Sequence, residues 1–375
     1  MSSLTVGTIN VGKFFNIPVQ SQAFIDSITP VEGQIFYNSD ANYVQIYANG
    51  AWITTAVGKG NSLYDFTSQT FVAIVAKGER SGPQFSSVAS TYANQPWSSQ
   101  YLSQGDHQGK LLWTVPSGGD YTIEAGGARG GRDNCYGIAD IWGAVMKGTF
   151  TLAQGDQLEL LVGSGGNQYC SPHGNEAGGG GGTFVRNYST GGLLLAAGGG
   201  GGSAGNVYGN SCSRDLNTAY GQITTQSGVT TCQGSYTATT PTPGYGGYGN
   251  GSYWGHPGAG YLGNGNSGYN HCGVGSVPQS YTNGGEGGRG DVCYTTSGEG
   301  NRGGFGGGGG GNLSGGGGAG GYTGGCSSGA WSSYSQHGGG GGSFNAGSNQ
   351  INTRGGNQGS QGGYAGAGYI VITKL

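Results

Sequence analysis

Aromatic rings and hydroxyls are the groups this sequence repeats at short spacing. Tyr245, Tyr248, Tyr253, Trp254, His256 and Tyr261 crowd one stretch, and Trp331, Tyr334 and His337 another, all separated by small residues. Rings with polar tips supply contact area at low entropic cost, which is why adaptable binding loops use them. With few charges nearby they suit a neutral glycan or a protein surface, so a receptor-binding surface on loops is the first expectation. A competing reading packs the same rings as collars over glycine segments, which have no side-chain core of their own.

Catalytic chemistry has less to work with. Glu124, Asp140, Asp156 and Glu159 are candidates for a carboxylate pair in sugar hydrolysis, but their setting reads as solvated strand and turn. GxGxxG matches follow from glycine abundance and none joins a strand to a helix, while GxxxxGK[ST] is absent. His271-Cys272 is the only His/Cys neighbour pair and no CxxC spacing occurs, which argues against zinc. Arg289-Gly290-Asp291 spells an integrin-type tripeptide, read here as coincidence in a glycine-rich chain. The expectation is a non-enzyme with no cofactor and no metal.

Cys135, Cys170, Cys212, Cys232, Cys272, Cys293 and Cys326 sit in Gly/Ser/Asn/Tyr-rich surroundings and read as disulfide staples. Their odd number leaves at least one free or paired between chains.

What must position these groups is glycine, 91 of 375 residues. Gly178–Gly202 sets two five-glycine runs around the apolar segments Thr183–Val185 and Leu193–Ala197, with a turn at Ser189–Gly192. Similar runs recur at Gly306–Gly311, Gly315–Gly318 and Gly338–Gly342. A flexible linker is one reading of such runs. Their abutment on β-type residues, and the many tyrosines, favour ordered polyglycine II instead. In that form about three residues make a turn, and only glycine fits where extended backbones crowd together. Side by side, such helices satisfy N–H and C=O groups that have no intrachain partner.

Composition bounds the rest. Fourteen Lys and Arg against seventeen Asp and Glu give a net charge of −3, which gives nucleic-acid binding little support. No apolar run approaches the roughly 18 residues of a membrane-spanning helix, and MSSLTVGTIN lacks the basic start and apolar core of a secretory signal. The chain reads as soluble and cytoplasm-made, and its cysteines meet an oxidising medium if it leaves the cell by lysis.

Residues 1–57 read as a β-meander. Ile35 and Tyr37, then Val44 and Ile46, alternate; Asn38–Asn42 makes a first turn and Asn49-Gly50 a type I′ turn before Trp52 and Ile53. Residues 58–109, with one strand-like run at Thr70–Ala76, read as a connector or small lobe. From 110 to 375 strands are expected at Leu111–Val115, Asp120–Ala125, Val145–Leu152, Gln157–Val162, near Phe184 and Leu195, and at Gly368–Thr373. No helix with a convincing 3.6-residue period is apparent. The apolar final strand needs partners, so it is expected to pair with early strands of its own module, leaving 163–367 largely as an insertion in a β-sandwich.

Two resemblances add to this. G-Q-I-F-Y-N with V-Q-I-Y-A-N-G-A-W resembles short repeats of phage tail-fibre and virion proteins, with Ala48 as a departure. W-T-V-P, Y-T-I-E-A-G-G-A-R-G-G, G-T-F-T-L-A-Q-G-D-Q-L-E-L-L-V-G, the two glycine runs and the terminal G-Y-I-V-I are similar to the glycine-rich domain of the anaplastic lymphoma kinase and leukocyte tyrosine kinase receptors. That likeness implies a jelly-roll-like sandwich carrying polyglycine II helices; without a kinase domain or membrane span in this sequence, signalling does not carry over. Glycine-helix bundles also resemble those at fibre tips of some tailed phages.

The expectation is therefore an all-β virion protein, a tail fibre or spike adhesin forming a homo-oligomer, a trimer. Its N-terminal module would meet other virion proteins and its C-terminal loops a host glycan or protein. Alternatives are a capsid or tail decoration protein with a rigid structural role and a bacterial surface or matrix protein.

Overall fold

The computed structural model describes residues 17–40, 43–55, 62–132, 140–167, 177–204, 216–229, 239–249, 255–266, 276–290, 301–312, 315–327, 337–357 and 365–375. The chain divides into two compact units, Met1–Leu63 and Tyr64–Leu375.

In the first unit, β1 (Val19–Gln20), α1 (Gln22–Ser27), β2 (Ile35–Asn38), β3 (Tyr43–Ala48) and β4 (Ala51–Thr55) form a four-stranded sheet in chain order with one short helix. The expected meander is present, with β1 added in parallel against β2. Ala48 pairs with Ala51 across a two-residue turn in which Asn49 has φ 53° and Gly50 φ 77°. Both angles are left-handed, as a type I′ turn demands, and asparagine followed by glycine meets that demand at least cost. Ile25, Phe36 and Val44 are buried, and Phe36 packs on Phe24 and Trp52.

The second unit is an antiparallel sandwich. Its strands are β5 (Ser68–Val72), β6 (Leu102–Gln104), β7 (Lys110–Thr114), β8 (Gly119–Gly126), β9 (Val145–Leu152), β10 (Gln157–Leu161), β11 (Thr183–Asn187), β12 (Leu193–Ala197), β13 (Phe344–Asn345), β14 (Ser348–Thr353) and β15 (Tyr369–Lys374). One sheet runs β13-β12-β11-β10-β7-β6, the other β14-β9-β8-β15-β5. Alternate residues of each sheet meet between them: Phe71, Ile123, Ile370 and Ile372 from one, Trp113, Leu158, Leu160, Val185 and Leu195 from the other. The last strand does pair with an early strand, Val371 opposite Glu124 of β8.

Residues 64–109 are not a separate connector. Thr70 of β5 pairs with Val371, β6 pairs with β7, and Tyr64, Phe66, Tyr92 and Trp97 pack against the main core. The segment also carries α2 (Phe85–Thr91) and α3 (Ser98–Tyr101); α4 (Leu216–Ala219) follows within the glycine-rich part. At seven residues or fewer these helices are too short to write a legible 3.6-residue period.

Strands of both sheets run on directly as glycine segments. The run 177–182, leading into β11, shows how these pack. Gly178 and Gly181 donate to the carbonyls of Asn167 and Ser164, Gly179 and Gly182 to Gly309 and Gly306, and Ala177 and Gly180 to Ser203 and Gly200. Every third N–H thus faces the same neighbour, which is a helix of three residues per turn. Its carbonyls accept from Ala128 and Gly131, from Gly317 and Gly320, and from Gly304. A Cβ on Gly181 would lie 1.7 Å from the Phe305 carbonyl oxygen, and one on Gly201 would lie 1.8 Å from that of Gly338. Those spacings leave room only for hydrogen, and the buried polyglycine bundle is held by backbone hydrogen bonds where a sandwich would use side chains.

Candidate functional site

The residues expected to bind a receptor separate into four groups. Tyr253, Trp254, Trp331 and Tyr334 lie outside the described residues. His256 and His337 are corrected from surface to interior, only 1% and 4% exposed. The His256 N–H donates to Gly310 O in the glycine bundle, and Nδ1 of His337 accepts from the Ala204 N–H at 3.2 Å. Tyr261 is corrected from loop to collar: it stacks on Tyr281 at 5.1 Å and near Tyr322 at 6.2 Å, in a column that includes Phe184 and Phe344. Among the described residues of this set, only Tyr245 and Tyr248 stand exposed.

Their placement follows from the three-residue period. In Tyr245-Gly246-Gly247-Tyr248 the two tyrosines fall one turn apart on one face, and both glycines turn inward. A Cβ would lie 2.0 Å from Asn264 O at Gly246 and 2.1 Å from Gly325 O at Gly247. Two further segments continue this face. Leu262 N–H donates to Gly244 O and Asn266 N–H to Gly247 O, laying 262–266 beside the tyrosine segment. The Tyr245 ring lies against Gly263, whose Cβ would be 2.7 Å from its Cδ1. On the far side, Thr282 N–H donates to Tyr261 O.

The outcome is a ledge bearing Tyr245, Tyr248, Leu262, Asn264, Thr282 and Asn283, all exposed. Tyr245 is 51% exposed and Leu262 48%. Asn264 is fixed from three sides: its Oδ1 accepts from Ser280 N–H at 2.8 Å and from Asn283 Nδ2 at 2.9 Å, and its Nδ2 donates to Gln279 Oε1 at 3.0 Å. None of the six is an acidic residue, a lysine, an arginine or a histidine. Four of them, Leu262, Asn264, Thr282 and Asn283, were not among the expected site residues. In sequence they read as turn chemistry, because Asn and Thr beside glycine are what a turn needs.

Beneath this ledge lies the strongest electrostatic cluster among the described residues. Glu159 of β10, expected as a solvated carboxylate, has 0% exposure. Its register explains why: Arg186 of β11 is directly opposite, and Lys110 of β7 is one diagonal step away. Lys110 Nζ lies 3.4 Å and Arg186 Nη1 3.6 Å from Glu159 Oε2, and the Tyr281 hydroxyl donates to that oxygen. Lys110 also sits over the Tyr281 ring at 3.9 Å. Burial lowers the Lys110 pKa, opposed by Glu159; burial and the neighbouring carboxylate push the Tyr281 phenol well above its usual value. A carboxylate enclosed in this way pins the aromatic column to the sheet. It has no route to a substrate, so sugar hydrolysis finds no support in it.

The remaining carboxylates have structural partners too: Glu124 with Lys147 and Tyr369, Asp140 with Arg129 and Arg132, and Asp156 with the Ala153 N–H of its own turn. Cys326 is buried and unbridged, its thiol 3.8 Å from Thr239 O, which corrects its reading as a staple. The other six cysteines, and Asp291, lie outside the described residues. Among the described residues no cluster of metal-ligating side chains occurs, and no helix is long and apolar enough to cross a membrane.

No protein-family model matches the chain. One curated relative is the leukocyte tyrosine kinase receptor of Mus musculus, 31% identical over 91 residues. The match spans 24% of this chain and 10% of the receptor. The chain is thus similar to that receptor over about a quarter of its length.

Proposed function

We propose that this chain is a phage virion protein, a tail fibre or spike adhesin that attaches the particle to a host cell. The observation that carries the reading is the division of labour between the two units. The small unit leaves Val19, Phe24, Val31 and Ile53 exposed, apolar groups of the kind that protein docking covers, on a meander resembling virion repeats. The described glycine segments of the large unit form a close-packed backbone bundle, a rigid base that lowers the entropic cost of binding at the residues exposed on it. Assembly as a homotrimer belongs to the same proposal.

Adsorption tests it. Labelled full-length chain should bind host bacteria saturably and be displaced by intact particles carrying the same protein. If particles lacking the protein adsorb as well as complete ones, the adhesin role is wrong and a rigid decoration role takes its place.

A further inference from the structure

We infer that the ledge formed by Tyr245, Tyr248, Leu262, Asn264, Thr282 and Asn283 is a binding subsite for a neutral saccharide chain. The inference rests on the adhesin reading for its biological setting, and on the ledge alone for its chemistry.

Three features select the ligand class. First, the six residues include no lysine, arginine or histidine, so the ledge lacks the basic side chains that a sialylated, sulfated or phosphorylated glycan would require. The charges beneath it are engaged with one another, Glu159 holding Lys110 at 3.4 Å and Arg186 at 3.6 Å. Second, Tyr245 and Tyr248 lie one helical turn apart on the same face, roughly 9 Å at the rise of about 3.1 Å per residue of an extended three-residue helix. Two rings in line offer stacking platforms for successive C–H faces of a pyranose chain, and Leu262 extends the apolar strip. Third, the amides beside the rings are already oriented. Asn264 is held at 2.8, 2.9 and 3.0 Å by Ser280, Asn283 and Gln279. Its neighbour Asn283 has an Oδ1 acceptor and a second Nδ2 hydrogen beyond the bond to Asn264, the pair of functions that reads vicinal hydroxyls. Side chains fixed before binding lose little entropy on contact. A folded protein partner is less well served: standard protein interfaces bury about 800 Å² per side around a hydrophobic centre, and this ledge presents one leucine and two tyrosines.

The test applies the full chain to an array of neutral oligosaccharides of glucose, galactose, mannose and N-acetylglucosamine, alongside sialylated and sulfated counterparts. Saturable binding to a neutral group is expected, weakened at least tenfold by Tyr245→Ala and by Asn283→Ala. Both residues are exposed, so the variants should melt with the parent chain, and a melting check separates lost contact from lost fold. Binding that prefers charged glycans, binding unchanged in both variants, or no neutral glycan bound would each overturn the inference. Host-cell adsorption, run in parallel, separates the two readings. Cells bound equally by parent and variants would leave adhesion standing and remove the ledge. Neutral glycans bound with no cell adsorption would keep the ledge and remove the adhesin role.

Discussion

Gly181→Ala puts the bundle's packing rule to a quantitative test. The added methyl would start 1.7 Å from the Phe305 carbonyl oxygen, well inside the contact distance of carbon and oxygen. That oxygen accepts from Ser164 N–H at 2.9 Å; Gly181 itself donates to Ser164 O at 2.9 Å and accepts from Ala128 N–H at 3.0 Å. Relieving the overlap means moving neighbouring backbones apart by more than about 1 Å, which takes these three bonds out of hydrogen-bonding range. A buried backbone group left unpaired costs about 1–3 kcal/mol for each of the three bonds and overpacking a similar amount, so a loss on the order of 4–12 kcal/mol is expected. In a domain this large, about 2–4 °C accompanies each kcal/mol, so Tm should fall by about 10 °C or more. Gly118→Ala is the control: its nearest atoms are 3.7 Å away and the site is exposed, so its effect should stay within about 0.5 kcal/mol. Thermal melts of both variants, followed by circular dichroism, decide the matter. If Gly181→Ala melts with Gly118→Ala, close packing of the glycine helices is refuted.

Two further predictions concern buried groups. Tyr281→Phe removes the donor to Glu159 and should cost about 1–3 kcal/mol at pH 7. Because the Tyr281 pKa is raised, the native state keeps a proton that the unfolded chain loses above about pH 10; this stability is full below that pH and declines above it. Lys110, lowered by burial, contributes the opposite slope, so Tm should fall less steeply above pH 10 in Tyr281→Phe than in the parent chain; identical slopes would refute the coupling. Burial raises the Cys326 thiol pKa, so iodoacetamide should modify it, by peptide mass spectrometry, only after unfolding; rapid labelling of native protein would contradict its placement.

The longer sandwich strands β7 to β12 and β15 were legible, since alternation in Tyr121, Ile123 and Ala125 or Leu158 and Leu160 marks the core side. The Asn49-Gly50 turn was legible for a conformational reason, its two left-handed residues. β14 was not: Ser348–Thr353 is an edge strand with almost every residue exposed, so no alternation marks it. β5 was seen as a strand, but its partner Val371 lies about 300 residues away and nothing local names it.

The candidate site was less legible than the fold. Among the ring residues expected to bind a receptor, Tyr245, Tyr261 and His256 look alike in sequence: each is an aromatic beside glycine. What separates them is the direction each faces on a three-residue helix, and that depends on which neighbours surround the helix. Tyr245 faces outward, Tyr261 enters a column ending over Glu159, and His256 faces the bundle interior.

By itself, the sequence determined that this protein is built from antiparallel strands and ordered glycine segments, because period-two apolar patterning and pure glycine each have a direct backbone consequence. Only the tertiary structure decided which glycine run lies against which. Glycine has no side chain to name a partner, so that choice is made by where the sandwich strands end and by the backbone hydrogen bonds that then become available.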